Sequence, residues 1–172
     1  MAATYSALTA RLHWLSAPIM IGCVGSVLKA QQTPMPEKGD WMFRHKSLGL
    51  LAGIVVAPRV ATRLLQKAPE HLPGAHKLEH IAGSITHMAL YSFLLIMPAT
   101  GIAMGYFGGK GLPFFFTTIP GKAEPDGAVA KQAFGIHKQV GYYGKFLIPL
   151  HAGAAVSHAA RGHKIFQRIN PF

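Results

Sequence analysis

Three histidines lie in one apolar stretch that runs from Phe134 to Ala160. They are His137, His151 and His158. Fourteen residues separate the first two, which on a regular helix is about 21 Å of rise and nearly four turns, so both imidazoles would lie on one stripe. Imidazole is an axial ligand of haem iron, and two ligands at different membrane depths suit two haems stacked across a bilayer. The spacing therefore predicts a diheme membrane protein.

One glycine shares that stripe. Gly144 lies midway between His137 and His151. A glycine has no side chain, so we expect a bulky group to pack against the backbone at this point.

Composition and hydropathy indicate a membrane protein. Half of the 172 residues are hydrophobic, 13% are charged and the mean hydropathy is +0.26, which leaves little polar surface for a soluble domain. Four apolar stretches each reach about the 20 residues that a membrane-spanning helix needs. They run from Leu12 to Leu28, from Phe43 to Leu65, from Ile81 to Phe107 and from Phe134 to Ala160. We predict one domain, residues 1–172: an all-α integral membrane four-helix bundle with two haems b stacked across the bilayer.

The charged residues and the single cysteine exclude several classes of function. The formal net charge is +11, but the basic residues lie between the apolar stretches and form no single stripe. This pattern predicts lipid headgroups or an anionic substrate as partners, and no nucleic acid. The basic residues divide evenly between the two sides of the membrane, so charge does not predict orientation. Cys23 alone can form neither an intramolecular disulfide nor a C-x-x-C-H haem attachment.

Four histidines near the ends of the spans form two pairs if successive spans alternate in direction. His13 and His151 then fall on the side that holds both termini, the terminal side, and His45 and His137 fall on the opposite side. Iron bound by two imidazoles is coordinatively saturated, so such a haem passes electrons and does not bind dioxygen. The pattern predicts one haem at each side of the membrane.

Two other interpretations of these histidines are available. A histidine in a membrane helix is often a hydrogen-bonded packing residue. Zinc or another transition metal needs ligands close together, whereas His137 and His151 would be about 21 Å apart on a regular helix. The apolar stretches also lack close Cys, Asp or Glu partners. Four histidines at mutually consistent depths favour haem ligation.

Several short motifs accompany these histidines. They are R-L-H-W-L at Arg11 to Leu15, His45 with Gly49, R-x-x-x-R at Arg59 to Arg63, His87, the P-A-T-G turn at Pro98, and the H-x13-H of His137 and His151 with L-H-A at Leu150 to Ala152. With them the chain resembles the bacterial-type cytochrome b561 family, four-helix diheme membrane cytochromes b, over nearly its whole length. The resemblance implies bis-histidine haems b, with His13 paired to His151 and His45 paired to His137. It also implies ubiquinone as a redox partner, bound as substrate or cofactor.

The resemblance gives roles to the remaining residues on the terminal side. His87 and His158 could hydrogen-bond a quinone carbonyl or supply its protons; alternatively they are propionate partners or solvated helix-end histidines. Arg59 and Arg63 are predicted to bind haem propionates, because a guanidinium group matches a carboxylate. The alternative for both arginines is snorkelling to lipid headgroups.

On the opposite side, basic residues crowd the mouth above the predicted haem of His45 and His137. An anion such as superoxide would be concentrated there by their field, or else they face acidic lipids. These residues are Arg44, Lys46, Lys110 and Lys138.

Two functions follow from the resemblance. The first is transmembrane electron transfer between haems and ubiquinone, with superoxide as donor, as in a superoxide oxidase. The second is a haem-bearing accessory or structural subunit of a larger respiratory complex. A homodimer within the membrane is compatible with both. The resemblance places the chain in a bacterial plasma membrane or a mitochondrial inner membrane, with both termini in the cytoplasm or the matrix.

Overall fold

The computed structural model describes residues 4–66, 69 and 74–172. Within them the chain is mostly helical, with a short hairpin between the third and fourth helices, and the predicted all-α bundle is confirmed. The elements are α1 Ala7–Gln32, α2 Glu37–Leu65, α3 Lys77–Phe107, β1 Leu112–Phe114, β2 Thr117–Ile119, α4 Gly127–Gly144, α5 Leu147–Ala160 and a 3-10 helix Phe166–Ile169.

Capping residues explain why the helices begin earlier than the apolar stretches do. The Ser6 hydroxyl accepts a hydrogen bond from the Thr9 N–H at the start of α1. Asp126 does the same for Val129 at the start of α4. Hydropathy marks the part of a helix that lies in lipid, whereas a cap marks the point where its hydrogen bonding begins. The polar first turns are therefore helical as well.

The fourth span differs from its prediction. Three helices in the described part of the chain, α1, α2 and α3, are long and apolar enough to cross a membrane. The stretch from Phe134 to Ala160 is not one regular helix, because α4 already begins at Gly127 and a turn at Lys145 and Phe146 separates it from α5. The uniform 21 Å rise assumed for this stretch is therefore wrong.

Pro149 and Gly144 account for this break. Pro149 has no N–H to donate to the Lys145 carbonyl, and a proline ring clashes with the carbonyl four residues before it. Gly144 lies against Phe93 of α3, where an added Cβ would be 2.2 Å from a ring carbon. The bulky group beside Gly144 is thus a side chain of this chain.

The bundle consists of two packed helix pairs. α1 packs along α2, and α3 packs along α4, whereas no residue of α5 is fully buried. The chain exposes 11045 Å², against about 8,200 Å² for a soluble monomer of this mass. Leu64, Leu65 and Ile54 are among the exposed apolar side chains. Such an apolar surface suits contact with lipid.

Hydrogen bonds define the two ends of the bundle. At the terminal end, the Tyr5 N–H donates to the Arg168 carbonyl at 2.9 Å, and the Trp14 indole N–H donates to the Ile169 carbonyl at 2.9 Å. At the other end, the hairpin end, the buried Ser47 hydroxyl accepts from the Phe115 N–H at 3.0 Å. The segments near the two termini therefore lie together.

Candidate functional site

At the hairpin end, His45 of α2 faces His137 of α4. Their ring centroids are 6.1 Å apart and the ring planes are inclined by 77°. His45 Nδ1 lies 2.9 Å from the Cys23 carbonyl oxygen, and His137 Nδ1 lies 2.9 Å from Thr100 Oγ1. Each imidazole of this pair thus has a polar partner on a neighbouring helix.

The partners fix the tautomers of this pair. A carbonyl oxygen can only accept, so His45 Nδ1 carries the proton that it donates to Cys23. Thr100 donates its hydroxyl proton to the Ile96 carbonyl at 2.6 Å, and therefore accepts from His137 Nδ1. In both rings Nε2 is left with a free lone pair, which is the form that binds a metal.

At the terminal end, His13 of α1 faces His151 of α5. Their ring centroids are also 6.1 Å apart, with the ring planes inclined by 64°. A third ring joins this pair, because the His87 centroid lies 5.3 Å from that of His151. His87 Nδ1 donates to the Gly83 carbonyl at 2.8 Å. The structure thus brings three imidazoles together at this end.

Arg59 of α2 contacts the terminal-end pair directly. Its Nη2 donates to His13 Nδ1 at 2.9 Å, and its Nη1 donates to the Ser16 hydroxyl. Ser16 in turn donates to the His13 carbonyl at 3.0 Å. Since a guanidinium has no acceptor, His13 Nδ1 accepts here, and the ring proton of neutral His13 is on Nε2. Arg63 lies one turn further along α2 and is partly exposed.

The spacing of both pairs suits one metal ion between two rings. Imidazoles that share an ion through bonds of about 2 Å have centroids up to about 6.4 Å apart, since each nitrogen lies about 1.2 Å from its ring centroid. The observed 6.1 Å agrees for both pairs. In the described residues, no three His, Cys, Asp or Glu side chains are grouped to hold an ion. A porphyrin supplies the four equatorial nitrogens that such a two-ligand site needs.

A model of the prokaryotic cytochrome b561 family matches residues 4–171. The chain belongs to this family. It is therefore a b-type cytochrome of the membrane, which binds haem b and transfers electrons across the bilayer.

Three relatives of this cytochrome come from bacteria. It is 26% identical over 159 residues to cytochrome b561 homolog 2 of Escherichia coli (strain K12), covering 90% of this chain and 84% of the relative. It is 27% identical over 149 residues to cytochrome b561 homolog 1 of the same strain, covering 86% and 85%. It is 23% identical over 154 residues to the probable superoxide oxidase CybB of Yersinia pestis, covering 90% and 88%.

In the structure of the cytochrome, His87 and His158 do not lie together, although both were predicted to bind a quinone. His158 Nδ1 lies 3.1 Å from His163 Nδ1 and 3.0 Å from Arg161 Nη2. Arg161 also forms an ion pair with Glu79 at 2.5 Å, which joins the end of α5 to the start of α3. His87 contacts His151 instead. The two predicted quinone residues thus belong to different clusters at the terminal end.

The four basic residues predicted to form the mouth are all exposed. The Arg44 guanidinium carbon lies 4.6 Å from the centroid of the Trp41 ring, which holds it at the start of α2. By their positions along the chain, all four lie towards the hairpin end. They are Arg44, Lys46, Lys110 and Lys138.

Sequence reasoning missed several polar partners of the four histidines. Thr100 and Ser16 are polar residues inside apolar stretches, and that position is a signal that could have identified them. The Cys23 carbonyl left no such signal, because a backbone group is present at every residue.

Proposed function

We propose that this cytochrome binds two haems b, one at each end of the bundle. His45 and His137 would hold the haem at the hairpin end, and His13 and His151 would hold the one at the terminal end. The supporting observation is the 6.1 Å separation of the rings in both pairs. A bound haem b supplies a reversible one-electron iron couple, and two such couples at different depths carry electrons across the membrane.

Residues around the pairs orient the ligands and bind the propionates. The Cys23 carbonyl and Thr100 hold the hairpin-end imidazoles with Nε2 free. Arg59 and Arg63 remain the proposed propionate partners, because the fork of a guanidinium matches a carboxylate. Arg59 already uses one nitrogen on His13 and one on Ser16, so Arg63 is the more available of the two.

Ubiquinone is the proposed redox partner at the terminal end. The His87 side chain is exposed and touches His151, so it reaches from the predicted ligand to the surface where a quinone arrives. Its Nδ1 donates to the Gly83 carbonyl, so the donor to a quinone carbonyl is Nε2–H of the doubly protonated ring. His158 lies in the surface cluster with His163 and Arg161 and is proposed to supply protons to the reduced quinone.

Superoxide is the proposed electron donor at the hairpin end. The exposed basic residues on that side attract anions, and one relative is named a probable superoxide oxidase. Two superoxide anions would each lose one electron and become dioxygen. One ubiquinone would take up both electrons and two protons to become ubiquinol, which balances the reaction.

A haem-bearing subunit of a larger respiratory complex is the second candidate, alone or as a homodimer. The observation in its favour is the tip of the hairpin, where Phe115 is partly exposed and Phe116 is fully exposed. An aromatic tip of this kind suits either a partner subunit or the lipid interface.

We propose four spans in a bacterial plasma membrane, with both termini in the cytoplasm and one domain over residues 1–172. The bacterial relatives favour this membrane over a mitochondrial one. The hydrogen bond between Tyr5 and Arg168 supports termini on one side.

The test is electron transfer from superoxide to ubiquinone by the purified, lipid-reconstituted protein. We expect superoxide to reduce the haems and ubiquinol to accumulate, and we expect added superoxide dismutase to abolish both. His158→Ala should keep both haems and lose ubiquinol formation. A protein that carries its haems but is not reduced by superoxide would rule out the oxidase and leave the subunit function. Unchanged ubiquinol formation in His158→Ala would remove this residue from the quinone site.

A further inference from the structure

The His137 ring rests on two consecutive residues of α3. Thr100 Oγ1 lies 2.9 Å from Nδ1. Gly101 lies beside the same ring, and a Cβ added to it would be 3.4 Å from His137 Cε1. One residue therefore contacts the ring through a hydroxyl, and the backbone of the next lies beside the ring. We name these two residues the ring seat.

The Thr100 hydroxyl can only accept a hydrogen bond from the His137 ring. Its proton is directed to the Ile96 carbonyl at 2.6 Å, with the Met97 carbonyl at 3.2 Å. A hydroxyl has a single proton and two lone pairs, so towards His137 it accepts. The backbone of α3 thereby fixes the direction of the hydrogen bond and, with it, the ring proton on Nδ1.

An acceptor on Nδ1 changes the chemistry of Nε2. It draws the N–H proton away and makes the imidazole a stronger electron donor to a bound metal. A stronger donor stabilises the more highly charged ferric state, which lowers the reduction potential of a haem. The Met97 carbonyl is a second hydrogen-bond acceptor for the His137 ring. A substitution of the Thr100 side chain leaves that contact in place.

We propose that Thr100 and Gly101 are positioning residues for His137, and that the Thr100 hydroxyl lowers the reduction potential of the haem at the hairpin end. This inference rests on the proposed ligation of that haem by His45 and His137. Thr100 acts through the imidazole and is not itself a ligand. No other histidine of the two facing pairs has a side-chain hydroxyl on Nδ1 in the described residues. The effect is therefore confined to one haem.

Redox titration of the purified holoprotein tests the proposal. The two haems are assigned by comparison with His151→Ala, which should retain the hairpin-end haem. Thr100→Val removes the hydroxyl at nearly constant shape, and we expect a positive shift of the hairpin-end potential with the terminal-end potential unchanged. Thr100→Ser keeps the hydroxyl and should titrate like the parent protein. A purely steric role for Thr100 would give the reverse pattern, with Thr100→Val at the parent potentials and a shift in Thr100→Ser, which loses a methyl group.

Gly101→Ala provides a second and independent variant. The added methyl group would come into van der Waals contact with the His137 ring, 3.4 Å from Cε1, while Thr100 remains. We expect both haems to bind, and the low-field electron paramagnetic resonance signal of the hairpin-end haem to move.

The outcomes separate this inference from the proposed function. A parent protein without haem would refute the ligation itself. Two bound haems with unshifted potentials in Thr100→Val, or a shift of the terminal-end haem instead, would overturn the role of Thr100 alone. Loss of haem from Thr100→Val leaves Gly101→Ala to decide, and an unmoved signal in that variant would overturn the ring seat.

Discussion

The two facing histidine pairs have the same ring separation but opposite surroundings. At the hairpin end, both Nδ1 atoms donate to acceptors, the Cys23 carbonyl and the Thr100 hydroxyl. At the terminal end, His13 Nδ1 accepts from the Arg59 guanidinium, and His87 lies against His151. The first pair is already in the tautomer that binds iron through Nε2.

The difference is that a charged group and a third imidazole lie beside the terminal-end pair. For His13 to bind iron through Nε2 as a neutral ring, Arg59 must release Nδ1 and the ring proton must move there. We propose that this end exchanges protons with a quinone, because an arginine and a third imidazole lie beside the proposed ligands. The hairpin end has no such group in contact with its pair among the described residues. It suits a site that passes electrons alone.

The largest effect is expected from removing one ligand of either pair. His137→Ala should lose the hairpin-end haem and His151→Ala the terminal-end haem, because each iron then keeps a single imidazole. The ratio of haem to protein should fall from about two to about one in each. His158→Ala, outside both pairs, is the matched control and should keep two. A variant at His137 or His151 that retains both haems would contradict the pairing.

A smaller effect is expected at the break between α4 and α5, which lies between His137 and His151 in the chain. Gly144→Ala places a Cβ 2.2 Å from the Phe93 ring, and overpacking of this kind costs about 1–3 kcal/mol. Thermal unfolding in detergent should show the loss. The double variant with Phe93→Leu should recover part of it, whereas Gly153→Ala, where an added Cβ meets no atom within 4 Å, is the control. Equal stability of Gly144→Ala and the parent would refute the close packing.

A weaker effect is expected from releasing the hairpin. Ser47→Ala removes a hydroxyl that accepts from the Phe115 N–H and donates to the Pro113 carbonyl. Loss of these partly buried bonds should cost about 1–3 kcal/mol in unfolding free energy. We expect any spectral change to be confined to the hairpin-end haem. A spectral change at the terminal-end haem would contradict the proposal that the two ends respond separately.

The smallest effect is expected from the exposed charges. Lys138→Gln should slow reduction by superoxide a few-fold at low salt and little at high salt, because exposed charges are screened. Stopped-flow absorbance at several ionic strengths measures this rate. Lys164→Gln, beyond the far end of α5, is the control. An equal loss in both variants, or a rate independent of salt, would remove the steering role from the hairpin end.

Much of the fold could be predicted from sequence, because apolar stretches of about 20 residues have few solutions in lipid. The break before Pro149 was missed because Pro18, Pro58 and Pro98 lie inside continuous helices. A proline alone therefore does not predict where a helix divides. The hairpin was also missed, since its strands of three residues each are too short for a periodic pattern.

The depths of the four paired histidines in their spans were enough to predict which rings lie close to each other. His13 and Arg59 illustrate what depth does not predict. Both were assigned to the terminal side, but their hydrogen bond depends on the rotation of α1 against α2. Small residues of α1 such as Ser16 and Ala10 are fully buried, and their hydropathy carries no information about that rotation. The hydrogen-bond partners of a predicted ligand are therefore harder to predict from sequence than the ligand itself.

Haem stoichiometry and spin state of the purified protein test the central claim most directly. Two imidazole pairs predict about two haems b per chain, both low-spin with six-coordinate iron, in absorption and electron paramagnetic resonance spectra. A chain with no haem, or with high-spin iron in place of either bis-imidazole centre, would contradict the account.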